Sequence, residues 1–173
     1  YKSAVAEAGL KAGADLINDI WGLKYDEKMG PVIAKYGVPC CLMHNRENSD
    51  YRMLIPDICA DLEESLAIAE DAGIDPDQII LDPGIGFGKT YEQNLAVIHH
   101  LEELNRFDLP ILLGTSRKSV IGLTLDLPAE ERMEGTLVTT VLAVEKGCSF
   151  VRVHDVRENV RAIRMARAIL EAE

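Results

Sequence analysis

The hydrophobic pattern of the chain switches repeatedly between the three-to-four spacing of helices and the short apolar runs of buried strands. Ser3 to Ala12 has helical spacing through Val5, Ala8, Leu10 and Ala12, and stops at Gly13, a C-cap. Ala14 to Ile20 then reads as a strand, with Leu16 and Asn18 on one face and Ile17 and Asp19 on the other. A helix from Asp26 to Tyr36, stopped by Gly37, leads to a second strand from Val38 to Met43, which ends at His44. The polar stretch Asn45 to Tyr51 precedes a long amphipathic helix, Pro56 to Ala72, ended by Gly73 and Pro76. Gln78 to Leu81 is the third strand and stops at an acid, Asp82. After a glycine-rich turn come helix Tyr91 to Arg106, strand Pro110 to Gly114 and the polar turn Thr115 to Ser119, which carries two adjacent cations. A loop through Asp126 and Pro128 enters helix Glu130 to Lys146; strand Ser149 to Val153 and helix Val156 to Ala172 follow.

Alternation of this kind predicts a parallel sheet with helical cover. An open doubly wound sheet and part of a (β/α)8 barrel both fit. Asn18, His44, Asp82, the stretch Ser116 to Lys118, and Arg152 with His154 lie at the C-terminal ends of five successive strands. A barrel gathers all such ends at one mouth, whereas a doubly wound sheet uses fewer of them at a switch point. The expected fold is therefore α/β, a partial TIM (β/α)8 barrel, with residues 1–173 forming part of one domain. The five strands and six helices read from the sequence fall short of a closed barrel and leave both sheet edges open. The chain also opens in mid-helix without a cap or an initiator Met, which points to a missing front end.

Composition narrows the class of partner. Apolar residues make up 47% of the 173 and aromatics 5%, which suits a core of Val, Ile, Leu and Ala. With 18 basic and 29 acidic residues the net charge is −11, the wrong balance for binding a nucleic-acid backbone. No apolar run approaches membrane-spanning length, so a cytoplasmic protein without a membrane partner is expected. Cys40, Cys41, Cys59 and Cys148 form no C-x-x-C pair and read as reduced, buried thiols.

Candidate chemistry sits at the strand ends. In the stretch Asp82 to Thr90, alternate glycines let backbone N–H groups approach a ligand, although an ordinary strand-to-helix turn has the same composition. It is not a P-loop, because Pro83 stands where that motif needs glycine. Phe150, Arg152 and His154 share one face of the last strand, and a buried Arg–His pair calls for an anion. A phosphate or diphosphate suits the arginine fork; a carboxylate such as Asp155 or Asp82 is the internal alternative. Arg117 and Lys118 add positive charge, and Ser116 and Ser119 are candidate helix caps. Asn18 and Asp82 together offer donors and acceptors to a flat heterocycle, or else form a satisfied polar layer. Met43 and Phe87 are candidate pocket walls. His44, His154 and Asp82 lack the spacing of a zinc site.

Five stretches then resemble, in this order and at these intervals, the dihydropteroate synthase family of folate biosynthesis. They are Leu16-Ile17-Asn18-Asp19, Leu42-Met43-His44, Asp82 to Thr90, Ser116-Arg117-Lys118-Ser119, and Arg152-Val153-His154-Asp155-Val156. Pterin-dependent methyltransferases share the barrel, but the Ser-Arg-Lys and Arg-Val-His-Asp-Val stretches point away from them. The resemblance implies a transferase that joins 6-hydroxymethyl-7,8-dihydropterin diphosphate to p-aminobenzoate, with Mg2+ assisting and a homodimer as the assembly. It implies Asn18, Met43, Asp82, Gly114, Lys118 and Arg152 for the pterin, and Asn18, Arg152 and His154 for the diphosphate. It implies Phe87, Lys118 and Ser119 for the aminobenzoate, with Lys118, Arg152 and His154 as the catalytic set. The chain corresponds to strands four to eight of the family's barrel. The first three strands, with the family's metal-site asparagine and a pterin-binding aspartate, have no counterpart, so no metal ligand is expected here. A truncated, inactive pterin- or anion-binding half-barrel that self-associates is the alternative.

Overall fold

A computed structural model describes residues 1–172. They form two compact units, Tyr1–Gly84 and a second from Ile85 onward.

The first unit runs α1 (Ser3–Lys11), β1 (Ile17–Asp19), α2 (Met29–Tyr36), β2 (Cys40–Met43), α3 (Leu54–Asp71) and β3 (Ile79–Asp82). Its three strands are parallel in the order β1-β2-β3, with Ile17 opposite Cys40 and Cys40 opposite Ile79. Every residue of β2 and β3 is buried, as both faces of a covered parallel sheet require. The core includes Leu42, Leu81, Ile33, Ile58 and Leu62, all fully buried. The first strand is shorter than its apolar run because Ala14 to Leu16 are exposed and only Ile17 to Asp19 pair with β2. Helix α2 begins three residues late because the Asp26 carboxylate is used elsewhere. It accepts the Ser3 N–H at the start of α1 (2.8 Å) and the Lys28 N–H (3.0 Å). Gly37 ends α2 in the left-handed conformation, φ 60°, which a side chain would strain. Helix α3 starts ahead of Pro56, which the first turn of a helix tolerates.

The second unit runs α4 (Tyr91–His99), β4 (Leu112–Leu113), α5 (Ser119–Leu125), α6 (Met133–Glu145), β5 (Phe150–Val151) and α7 (Val156–Leu170). Strands β4 and β5 pair in parallel, Leu112 with Phe150 and Leu113 with Val151. Thr90 starts α4 with a reciprocal capping box to Gln93. The single helix expected from Tyr91 to Arg106 divides into α4 and a 3-10 segment, Leu101–Phe107. The tighter turn stacks Leu101 and Leu104, three apart and both fully buried, on one face.

Helix α5 corrects the sequence reading, which placed a turn and loop there and counted six helices; the described residues form seven. Its short segment has no side-chain cap to announce it and carries Gly122 in its middle. Neither Ser116 nor Ser119 caps it: Lys118 occupies the N-cap position without a capping side-chain bond. The four cysteines are thiols outside any disulfide, but Cys148 is only half-buried, unlike Cys40, Cys41 and Cys59. Among the described residues no helix is long and apolar enough to cross a membrane.

Candidate active site

In the first unit the strand register sets the polar groups. Met43 lies opposite Asp82, and the His44 N–H donates to the Asp82 carbonyl at 2.8 Å, continuing the ladder past β2. Asp82 is 7% exposed, and its Oδ1 accepts the Gly84 N–H at 2.7 Å, which turns the chain sharply after Pro83. Met43 is buried beside it. Asn18 lies on β1 opposite Cys41 and is exposed, while its neighbour Asp19 is 1% exposed. The two-residue period of the strand thus separates them as the alternation required. Asp19 accepts N–H groups from Leu23 (2.8 Å) and Trp21 (3.3 Å), holding the loop that follows Asn18. Leu23 sits there at φ 69° although it is buried.

Sequence reasoning missed a polar cluster next to Met43. His44 Nε2 lies 2.9 Å from Asp61 Oδ2 on α3, and Arg46 donates to the same carboxylate from Nε (2.6 Å) and Nη2 (3.2 Å). The Arg46 guanidinium lies 4.5 Å from the centre of the Tyr51 ring. Burial pushes the Asp61 carboxyl up, but the hydrogen bonds from Arg46 and His44, with Lys24 adding charge, hold it below the ordinary value. Burial drives the Tyr51 phenol up to about 12. Asp61 is one acid among several on an amphipathic helix, so nothing in its spacing marks it. His44 Nε2 is therefore committed to Asp61 on α3.

In the second unit the glycine turn and the cationic turn meet. The loop after Ile85 is stapled by Asn94, whose Oδ1 accepts the Gly86 N–H (2.6 Å) and whose Nδ2 donates to the Lys89 and Thr90 carbonyls. Phe87 is thereby held at a fixed place. The Lys118 ammonium lies 4.9 Å from the centre of its ring and donates to the Ile85 carbonyl. Gly86 sits at φ 83°, and a Cβ there would lie 3.3 Å from Lys118 Cδ, so glycine serves both the turn and the close approach.

The remaining predicted residues surround the end of the β4–β5 pair. Gly114 is buried directly after β4, and Ser119 is exposed at the first position of α5. Ser116 Oγ accepts the His154 N–H (3.1 Å) and contacts its Nδ1 (2.8 Å), so one hydroxyl fixes both the backbone and the ring. Arg152 and His154 are exposed, which corrects the expected buried pair. Both lie beyond Val151, the last paired residue, on the side of half-exposed Phe150. Among the described residues the Arg152 side chain makes no ion pair or hydrogen bond, and Asp155 is taken by another arginine. Arg117 Nη2 and Nε contact its two oxygens at 2.7 and 3.2 Å. The second cation of the turn is thus neutralised internally, and the expectation that Arg117 adds charge to the site is corrected. Its direction follows from a left-handed backbone, φ 57°, which the sequence does not announce.

The described residues contain no group of three His, Cys, Asp or Glu side chains able to hold a metal ion. Asp82 Oδ1 accepts the Gly84 N–H. What the two units offer is a buried carboxylate with an exposed amide in one. The other presents an ammonium over an aromatic ring and an exposed arginine with a histidine.

Comparison with known proteins adds to this. The model of the family described as pterin binding enzyme matches residues 1–154. The chain is 60% identical over 171 residues to a dihydropteroate synthase of Clostridium beijerinckii, covering 98% of this chain and 64% of that protein. It is 54% identical over 170 residues to the Bacillus subtilis dihydropteroate synthase, covering 98% and 60%. It superposes with TM-score 0.97 and 46% identity on a Clostridium difficile dihydropteroate synthase solved in the presence of pteroic acid, covering 99% and 66%. A Yersinia pestis enzyme solved with a pterin–sulfa conjugate gives 0.94 and 40%, covering 99% and 66%. The fold is thus of the α/β TIM-barrel type, and the chain spans 64% and 60% of the two curated relatives.

Proposed function

The chain belongs to the pterin-binding enzyme family, and on that premise we propose that it is part of a dihydropteroate synthase of folate biosynthesis. The reaction joins 6-hydroxymethyl-7,8-dihydropterin diphosphate to p-aminobenzoate and gives 7,8-dihydropteroate and diphosphate. The observation that carries the reading is 60% identity to a relative so named, over nearly the entire chain. The same observation favours the synthase over an inactive half-barrel. In this reading the five strands are strands four to eight of a (β/α)8 barrel and the whole chain is part of one domain.

We assign the pterin to Asn18, Met43, Asp82, Gly114, Lys118 and Arg152. A buried carboxylate accepts hydrogen bonds from the amino-pyrimidinone edge, as carboxylates do from base edges, and Met43 supplies an apolar wall. Arg152, whose fork meets no partner among the described residues, takes the diphosphate with His154 and Asn18. His154 is well suited to it, because the Ser116 hydroxyl anchors Nδ1 and leaves Nε2 directed by the ring's fixed orientation. The aminobenzoate goes to Phe87, Lys118 and Ser119. In the reaction the methylene–oxygen bond breaks with its electron pair leaving on the diphosphate, the arylamine nitrogen forms the new bond to the methylene, and that nitrogen loses a proton. Lys118, Arg152 and His154 form the catalytic set: the two cations stabilise the negative charge that develops in the transition state, and His154 adds a hydrogen bond to the same group. Mg2+ belongs in this reading to the complete barrel, because the described residues bring no ligand set for it.

A homodimer is proposed as the assembly, supported by apolar side chains left exposed on α7: Val156 (60%), Met165 (62%) and Ile169 (62%). A cytoplasmic location is proposed with it. The test is calorimetric titration of the chain with the dihydropterin diphosphate, with and without Mg2+, followed by assay for dihydropteroate. Binding that Asp82→Asn weakens by roughly 100-fold supports the reading. A folded chain that binds no dihydropterin, alone or completed by the barrel's first strands, sinks it.

A further inference from the structure

Lys118 follows a residue in a conformation that only its surroundings can hold. Arg117 has φ 57°, a left-handed backbone that is unfavourable for an ordinary L-residue. Each polar group of that residue is met from a different place in the second unit. Its N–H donates to Thr136 Oγ1 (3.1 Å), one turn into α6, and Thr136 in turn donates to the Arg132 carbonyl (2.9 Å). Its carbonyl accepts from Arg132 Nη1 (2.9 Å), at the N-cap of α6. Its guanidinium makes the two-point contact with Asp155, directly before α7.

Arg132 is itself fixed. Its Nε donates to the Leu127 carbonyl (2.9 Å), and its guanidinium packs on α5 where Gly122 leaves room; a Cβ at Gly122 would collide with it. Thr136 is fully buried. From this geometry we infer that Arg132, Thr136 and Asp155 are positioning residues that set Lys118 over Phe87 by clamping Arg117. Each of them bonds Arg117 directly, Thr136 and Arg132 at its backbone and Asp155 at its guanidinium. Their influence passes through the backbone of one strained residue, and Gly122 is the space that admits the clamp. As a contribution to catalysis the inference rests on the proposed role of Lys118; as a statement about where Nζ sits it does not.

The experiment reads Lys118 directly. The chain is acylated with a small amine-reactive ester, and the rate at Lys118 is followed by peptide mass spectrometry, with no substrate present. Arg132→Met is expected to raise that rate roughly fivefold, as Nζ leaves the Ile85 carbonyl. Gly122→Ala displaces the guanidinium without altering its chemistry and is expected to do the same. In an Arg117→Gly background the left-handed turn carries no strain, so Arg132→Met is expected to change the rate less than about twofold. Equal increases in both backgrounds overturn the inference, as do unchanged rates in both Arg132→Met and Gly122→Ala. Dihydropterin affinity, measured on the same variants, separates the two claims. If the parent chain binds none while the Lys118 rates follow the expected pattern, the functional reading falls and the positioning stands. If dihydropterin binds and the rates stay flat, the positioning alone falls.

Discussion

Asp82 at the end of β3 and Arg152 just beyond β5 occupy matching places in their own sheets, yet one is buried and the other exposed. Asp82 stands among strands covered on both faces and is tied to the next turn through Gly84. Arg152 stands past a two-residue strand, with its own amide bonded to Leu113 and its guanidinium without a partner among the described residues. A buried acceptor with fixed direction discriminates shape and donor pattern, because a wrong partner leaves it unsatisfied. An exposed cation attracts charge with little regard to shape. In the proposed reading this contrast gives the heterocycle to the buried carboxylate and the leaving anion to the exposed cation.

Substitutions break this contrast in order of size. Asp82→Asn is expected to weaken dihydropterin binding by roughly 100-fold in calorimetry, with or without the diphosphate, since it replaces a charged acceptor. Arg152→Ala is expected to cost about tenfold for the diphosphate-bearing pterin and much less for pterin lacking it. Equal losses for both ligands would make Arg152 a stacking residue and erase the contrast. Asp61→Asn strips Arg46 and His44 of their shared partner and is expected to lower stability by about 1–2 kcal/mol in urea titration. A change below that range would mark the cluster as solvent-screened.

The same carboxylate gives the pH prediction. Its folded-state pKa is depressed, so the stability it adds is complete above the unfolded value near ~4 and is lost as the pH falls through the folded value. The acid limb of unfolding should accordingly flatten in Asp61→Asn and remain steep in the parent. The smallest effect concerns thiols. Burial, with Asp19 nearby, pushes Cys40 up to about 12, so native-state alkylation near neutral pH is expected at half-buried Cys148 well before Cys40. Labelling of Cys40 at a comparable rate would show that the first unit opens locally.

The periodicity of the chain was enough to place β2, β3 and the turn at Asp82, because strands buried on both faces leave uninterrupted apolar runs such as Cys40 to Met43. It overstated β1, β4 and β5, since an apolar run says nothing about where a pairing partner ends. Helix α5 escaped because seven residues with an internal glycine and no cap carry too little local signal. At the candidate site, residue type singled out Asn18, Asp82 and Lys118 as candidates but carried no information on orientation. Arg117 and Arg152 look alike in sequence; a positive φ turns one toward Asp155, while the other follows the strand outward. Asp61 and Arg132 lie far along the chain from what they hold, and only the fold brings them there.

The Asn94 staple has a consequence for timing. One fully engaged side chain holds the Gly86, Lys89 and Thr90 backbone, and the capping box closes the segment at Thr90. The loop bearing Phe87 is thereby a ledge rather than a lid. In the proposed reading, an aromatic ring arriving against it meets a surface already in place.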